Sequence, residues 1–349
     1  METTNKTLSI IYHFPCFDGA YGAINTYLYY TNFSKTKYTI KFVPMKNSIS
    51  KLFAFEKTDK IVVLDVSLIE EDYKYLMEHQ NIKVLLIDHH NTGIKDYKSL
   101  YESMLKKRTN PIKVVFDERD EQSACGLSFR YFKNKASHNF KSFIVEPVFN
   151  SNYEKIIKYV EDCDIGAHSL KNSLFFSSGM GKQFHPRNKV LDFSESNFYS
   201  RIKNLQNVNL KYTLKTGDTA YRQFASNAKK ELLNNKIYVM QLTEDIKFLT
   251  VITEHKQYRN LTSPFLGRVS KKNGYLPCGG CIYSFENGLY KVSLRTGTKN
   301  SVDVSEICSK FGGGGHIDAA SFTMTMEEIK KHIVKEVDIT PDINNSNLF

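Results

Sequence analysis

The sequence predicts an α/β protein: a mostly parallel, doubly wound sheet in the N-terminal part, followed by a smaller α/β domain of a different kind. Three observations carry that expectation. Short apolar runs alternate with helical patterns through the first half, and several of the runs stop at an acidic or imidazole residue. In the last third, Asn287-Gly288 separates two β-rich segments, a strong hairpin signature. A chain of 349 residues is also long for one core, so two domains are the default.

Taken in order, Leu8 to Tyr12 reads as a strand that stops at His13, with Asp18 and Gly19 just beyond. Gly19 to Tyr30 reads as a helix packed by its small residues, and Tyr38 to Val43 as a strand closed by Pro44. Ile61 to Leu64 is an apolar run that stops at Asp65. Glu70 to His79 is an amphipathic helix with an acidic start, and Ile82 to Ile87 is a buried strand that breaks into Asp88, His89 and His90. Lys113 to Phe116 is a further short strand, and Ser123 is placed to cap a helix over Ala124 to Phe132. Asn152 to Val160 has helical spacing and runs into Glu161, Asp162, Cys163 and Asp164. From about Leu170 to Leu210 the chain turns polar around Pro186 and reads as a connection, with a helix at Asp218 to Asn234 after it.

In an open parallel sheet, ligands bind beyond the carboxyl ends of the strands. Three strands therefore aim His13, Asp18, Asp65, Asp88, His89 and His90 into one crevice, with no lysine or arginine among them. A single aspartate closing a strand is commonly a cap or turn former; three such ends in one sheet favour a metal site. Of the acids in the EDCD segment, Asp162 is placed ahead of Asp164 as a further ligand.

The second domain reads as strands over Ile237 to Leu242, Phe248 to Ile252, Cys281 to Phe285 and Leu289 to Arg295, then a helix over Val302 to Phe311. Gly312, Gly313, Gly314 and Gly315 suit neither a helix nor a strand interior, because glycine loses the most backbone entropy for no packing. They suit close approach of backbone N–H groups to an anion. Ser293, Arg295 and His316 near them favour phosphate over a plain hinge. Thr325 and Glu328 form a capping box for a last helix through about Val337, and the polar end from Pro341 reads as frayed. Cys278-Gly-Gly-Cys281 has metal or redox spacing, but no second pair follows and the motif leads into a strand, so packed thiols are the better reading.

Composition narrows the class. The net charge of +11 fits a polyanionic partner, or a lysine-rich solvated surface. No apolar run approaches 18 residues, so no membrane span is expected. Six cysteines without regular pairing fit a reducing, cytoplasmic setting.

With these residues in view, the chain resembles the DHH phosphoesterase superfamily, in the branch that carries the DHH-associated C-terminal domain. The motifs are His13 with Asp18-Gly19, Asp65, Asp88-His89-His90, Ser123-Ala124, Asp162, Ser293 to Arg295, and Gly312 to His316 with Ala319-Ala320. The resemblance implies a catalytic domain over residues 1–195, a connecting segment and linker helix over 196–235, a substrate-binding domain over 236–337 and a flexible tail over 338–349. It implies a phosphoesterase acting through a pair of Mn²⁺ ions, with Mg²⁺ as a substitute, on a short oligonucleotide, dinucleotide or pAp, and it allows a homodimer. Carried over by motif, His13, Asp18, Asp65, His89 and Asp162 hold metal, Asp65 bridges, Asp88 orients an imidazole and His90 faces substrate. Ser293, Arg295, the four glycines and His316 hold substrate. One departure stands in the first motif, where Cys16 lies near the place of a second aspartate; a soft ligand or a packed thiol are its two readings. A second is Ser321, where glycine is usual after the paired alanines. The remaining functional readings are a polyphosphate or pyrophosphate hydrolase and a catalytically weak nucleotide-binding protein.

Overall fold

The computed structural model describes residues 6–45, 58–119, 121–184 and 189–346. Its first half follows the alternating pattern: β1 (Lys6–His13), α1 (Phe17–Asn32), β2 (Tyr38–Met45), β3 (Lys60–Leu64), α2 (Glu70–Glu78), β4 (Lys83–Asp88), α3 (Asn91–Ser103), β5 (Lys113–Phe116), α4 (Ala124–Asn139), α5 (Ser142–Val145) and α6 (Ser151–Asp164). The five strands form one sheet in the order β2-β1-β3-β4-β5, and every neighbouring pair is parallel. Tyr12 pairs with Leu64 and Leu64 with Ile87, so His13, Asp65 and Asp88 each follow a residue of one register row.

Side chains alternate between two covered faces, which is what near-continuous apolar strands require. Leu8, Ile10, Val62, Leu64, Leu85 and Ile87 pack with residues of α1, α4 and α6, whereas Ile11, Ile61, Val63, Val84 and Leu86 pack with residues of α2 and α3. Each fully buried Ile or Leu contributes roughly 1.5–3 kcal/mol over an exposed one, and slipping a strand by one residue would move its apolar set to the wrong face. Gly19 lets α1 lie against the end of β1, because a Cβ there would stand 2.3 Å from the His13 carbonyl oxygen.

The polar stretch is more ordered than its composition predicts. It contains α7 (Ser173–Gln183), α8 (Phe198–Gln206) and the first turns of α9 (Leu210–Asn234). Isolated apolar side chains, Phe176, Met180, Leu191, Phe193, Ile202 and Leu205, are each buried in the first core. Two tyrosines tie the stretch down: Tyr12 donates to the Leu191 carbonyl and accepts from the Phe193 N–H, both at 2.8 Å, and Tyr21 donates to the Leu205 carbonyl at 2.9 Å. Pro186 lies outside the described residues.

The chain divides into two compact units, residues up to Asp218 and from Thr219, with the division inside α9. The second unit continues with β6 (Ile237–Gln241), β7 (Lys247–Ile252), α10 (Arg259–Lys272), β8 (Cys278–Ser284), β9 (Tyr290–Thr296), α11 (Val304–Ser309), β10 (Gly314–His316), β11 (Ala319–Met324), α12 (Met326–His332), β12 (Ile333–Val337) and α13 (Thr340–Asn344). Its seven strands run in the order β10-β11-β9-β8-β7-β6-β12, mixed in direction, with only β7 and β8 parallel. The α/β class with a parallel first sheet and a different second sheet is borne out. The hairpin between β8 and β9 turns at Asn287 and Gly288, both with positive φ.

Three expectations need correction. The capping box of Thr325 and Glu328 forms, but its helix stops at His332 and the chain becomes β12. Ile333 and Val337 have helical spacing, yet the open edge of β6 takes up this β-rich segment as an antiparallel partner. The end read as frayed contains α13, anchored by the buried Ile343; residues 347–349 lie outside the described ones. Gly314 and Gly315 are strand residues at the sheet edge, paired with Ser321 and Ala320. Gly315 has φ +146°, and a Cβ at Gly313 or Gly315 would meet the Ser321 or Ala319 carbonyl oxygen at 2.2 or 2.5 Å, so glycine alone fits this edge.

Gly19→Ala is expected to lower the unfolding free energy by about 1–3 kcal/mol through overpacking against β1. Gly181→Ala, where a Cβ meets nothing within 4 Å, is expected to be neutral or slightly stabilising, and urea denaturation of the two variants checks the difference.

Candidate metal centre

The site is built at the carboxyl edge of the first sheet, from β1, β3 and β4 and the segments that follow them. Asp65 comes directly after β3 and has φ +58°, a left-handed backbone that non-glycine residues rarely adopt. Its N–H donates to the Ile87 carbonyl at 3.0 Å, which locks the turn to β4. Its side chain, 3% exposed, lies between imidazoles: Oδ2 is 3.1 Å from His13 Nδ1, and Oδ1 is 3.5 Å from His89 Nε2 and 3.7 Å from His90 Nδ1. Burial opposes ionisation, but the bonds to His13 and His89 hold the Asp65 carboxyl well below the usual carboxylate range.

Asp18 enters from the first turn of α1. Its oxygens accept the N–H groups of Ala124 (2.9 Å) and Cys125 (2.8 Å) at the start of α4, where the helix dipole favours negative charge. Ser123 caps the same helix by accepting from the Gly126 N–H. Asp18 Oδ2 also stands 3.9 Å from His89 Nε2. Burial and the nearby Asp65 raise the Asp18 pKa.

Asp88 uses both oxygens to shape the segment after β4. Oδ1 accepts the His89 N–H (2.8 Å) and bonds His90 Nδ1 (2.7 Å), and Oδ2 accepts from Ser67 Oγ (3.1 Å). The imidazole that Asp88 orients is therefore that of His90. Burial works against the imidazolium, yet the Asp88 bond and the charge of Asp65 push His90 up to about 9.

At the end of α6 the two acids divide differently from the sequence reading. Asp162 is taken up by the following loop: Oδ1 accepts the Ser169 N–H (2.8 Å) and hydroxyl (2.6 Å), and Oδ2 accepts the Leu170 N–H (3.2 Å). Asp164 Oδ2 instead reaches 3.3 Å from His89 Nε2. Residues two apart on a helix do not share a face, so only one of the pair can turn to the centre. The order read from the sequence is reversed in the geometry: Asp164, not Asp162, faces His89. Partial removal from solvent, the side chain being 24% exposed, and the charges of Asp18 and Asp65 raise the Asp164 pKa. α6 is held to α4 by Glu161, which pairs with both terminal nitrogens of Arg130 (2.6 and 3.1 Å) and accepts the Ser123 N–H at 3.2 Å.

His13, Cys16 and Asp65 offer donor atoms within 4.8 Å of one another, as do Asp18, Asp65 and His89, and also Asp65, Asp88 and His90. Asp65 belongs to all three groups. Among the described residues, no lysine or arginine pairs with Asp18, Asp65, Asp88 or Asp164. Carboxylate and imidazole donors gathered around one shared carboxylate fit hard or borderline divalent cations. Burial raises the Cys16 thiol well above its ordinary pKa, so it rests protonated beside the carboxylates.

In the second unit, β10, β11 and β9 align the predicted substrate residues. His316 pairs with Ala319 and Ala319 with Arg295, so the imidazole and guanidinium share a row with only a methyl between them. Gly314, Ser321 and Ser293 form the next row on the same face. Burial and the charge of Arg259 bring Arg295 down to about 10, and its Nη2 is 3.4 Å from Asn260 Oδ1. Arg259 and Asn260 were not singled out in the sequence, because α10 carries no clear apolar spacing and opens without a capping signal. Cys278 and Cys281 are buried strand residues with free thiols.

Comparison with known proteins bears out the resemblance. Residues 261–339 match the family model of the DHHA1 domain. Over 331 residues the chain is 23% identical to the uncharacterized protein R106 of Acanthamoeba polyphaga mimivirus, covering 90% of this chain and 67% of that protein. Over 296 residues it is 21% identical to the oligoribonuclease NrnB of Bacillus subtilis (strain 168), covering 82% of this chain and 64% of that one. The chain thus spans about two thirds of the length of these curated relatives. Among solved structures, RecJ in complex with Mn²⁺ from Thermus thermophilus aligns over 94% of this chain and 51% of its own, at 12% identity and a TM-score of 0.48.

The different surroundings of the two acids in α6 lead to opposite variant behaviour. Asp164→Asn is expected to weaken Mn²⁺ uptake at least tenfold by isothermal titration, with little loss of fold stability. Asp162→Ala is expected to cost about 0.5–1.5 kcal/mol of stability by removing the hydrogen bonds that hold the Ser169–Leu170 loop, with Mn²⁺ affinity nearly kept.

Proposed function

We propose that this DHHA1-domain chain is a metal-dependent phosphoesterase that hydrolyses phosphodiester or terminal phosphate bonds of small nucleotides, such as short oligonucleotides, dinucleotides or pAp. The observation that carries the reading is the convergence of Asp18, Asp65, His89 and Asp164, with His13 adjoining, and with no lysine or arginine on the three carboxylates among the described residues. Asp18, Asp65, His89 and Asp164 would hold one divalent cation, and His13 with the shared Asp65 a second, with Cys16 alongside. Two such ions, Mn²⁺ or Mg²⁺, supply Lewis acidity toward phosphoryl oxygens.

The chain's own residues do the rest. Asp65 joins the two donor sets and is kept ionised by its imidazole neighbours. Asp88 grips His90 through Nδ1, which fixes the ring, and a proton on Nε2 would pass to the leaving oxygen. In the second unit, the row of Arg295 and His316 would bind the phosphate of the substrate, and Ala319 keeps the space between them open. A relative named as an oligoribonuclease supports a nucleotide substrate over polyphosphate.

Wild type with Mn²⁺ is expected to release product from at least one of pAp, a dinucleotide or a five-residue oligonucleotide. Asp65→Asn and His89→Ala are expected to lose on the order of 100-fold or more in kcat/KM. Turnover of polyphosphate alone would move the substrate class. Turnover of nothing above the level of the two variants would leave a binding protein. Arg295→Ala is expected to raise KM by roughly 10- to 100-fold, the size of a charge-assisted hydrogen bond, with kcat nearly kept.

A further inference from the structure

The opposite edge of the first sheet carries a second charged feature. β1 starts at Lys6, β3 at Lys60, β4 at Lys83 and β5 at Lys113, on four strands that are neighbours in the sheet. Lys60 pairs with Lys83, Leu8 with Lys60 and Leu85 with Lys113. Because side chains alternate along a strand, all four lysines project to the same face as Leu8, Val62, Leu85 and Val115, the face that packs with α1 and α4. Tyr38 at the start of β2 pairs with Lys6 and extends the row.

The covering helices add to it. Lys60 Nζ lies 4.9 Å from the centre of the Tyr30 ring, and Lys135 of α4 lies 5.1 Å from Tyr29 and 5.7 Å from Tyr131. Among the described residues, none of Lys6, Lys60, Lys83, Lys113 and Lys135 has a carboxylate within 4.0 Å. Asp59, the acid next to Lys60, accepts the Thr7 N–H at 2.7 Å. Among the described residues, the buried Tyr30 hydroxyl has no hydrogen-bond partner. Burial and the charges of Lys135, Lys113 and Lys83 bring Lys60 down to about 8, a cost that a bound anion would relieve.

We propose that this row of lysines is a binding site for the phosphate backbone of a single nucleic-acid strand, at the end of the sheet opposite the acidic centre. Neighbouring strands are about 4.8 Å apart and residues along a strand about 3.3 Å; with Lys6 and Lys113 each offset by two residues from the Lys60–Lys83 pair, the four lysines form an oblique line roughly 20 Å long. A line of fixed cations matches a line of phosphates. A lipid surface would call for exposed apolar side chains beside the lysines. The exposed apolar residue nearest in sequence, Val114, follows Lys113 directly and so projects from the opposite face. The inference does not depend on the hydrolytic activity, because its readout is binding.

The test measures anisotropy of a labelled 16-nucleotide RNA and of a labelled dinucleotide with the full chain, across a salt series and without divalent cations. The RNA is expected to bind at least tenfold more tightly than the dinucleotide. Lys83→Gln/Lys113→Gln, both at exposed strand starts, is expected to lose most of that difference. It should also flatten the slope of log K against log salt by about 1.4, the value for two phosphate contacts on a single strand. Lys74→Gln/Lys98→Gln, on the helices of the other face, makes the same charge change and is expected to keep affinity and slope. Equal loss in both pairs would show net charge alone and overturn the site. Unchanged binding in Lys83→Gln/Lys113→Gln would do the same, as would tighter binding to polyglutamate or anionic vesicles than to RNA.

Discussion

Four carboxylates and three imidazoles share one edge of a parallel sheet with no lysine or arginine among the described residues to neutralise them, and much of the first unit is arranged to make that tolerable. Two like charges at about 4 Å repel by about 4 kcal/mol at an effective dielectric constant of 20. Asp18 and Asp65 offer oxygens within 4.8 Å of one another, and Asp164 adds to the same field. The charge is spread rather than cancelled. Asp18 is met by the N–H groups that open α4, Asp65 by the imidazoles of His13 and His89, and Asp88 by two backbone N–H groups, a serine and His90. A donor set held this way offers candidate ligands for a metal ion.

The rigidity behind the site comes from packing on both faces of the strands and from one polar anchor. Glu161 bonds Arg130 and the Ser123 N–H, which couples the end of α6 to the start of α4. Gly126 leaves room for that carboxylate, since a Cβ there would stand 1.9 Å from Glu161 Oε1. Asp18 and Asp164 thus reach His89 from helices that are fixed to one another. Parallel pairing has a further effect: every strand starts at one edge and ends at the other. The edge that collects the acids is necessarily opposite the edge that collects the lysines of the strand starts.

The second unit shows the same dependence on register. Arg295 and His316 are 21 residues apart in the chain, and antiparallel pairing of β9, β11 and β10 sets them in one row. Ala319 separates them by a methyl group, and the positive φ of Gly315 lets the edge strand approach closely. The row depends on small residues more than on charged ones.

Local pattern was enough for the parallel sheet, because buried strands read as apolar runs, and three of the runs end at an acid or imidazole of the cluster. His13, Asp65, Asp88, His89 and His90 are legible for that reason, as are the Ser123 cap and the Asn287-Gly288 turn. The polar stretch after α6 was not, because Leu191, Phe193, Ile202 and Leu205 are buried singly and leave no period to read. β12 was misread because Ile333 and Val337 fit a helix as well as a strand, and the open edge of β6 decided between them. The choice of Asp164 over Asp162 was also beyond the sequence, since both sit in one turn and only the loop at Ser169 and Leu170 claims one of them. Sequence alone therefore determined which residue types stand at the strand ends, because burial imposes a pattern on neighbouring positions. Tertiary structure decided which of them meet, because distances between segments far apart in the chain are set by packing and register.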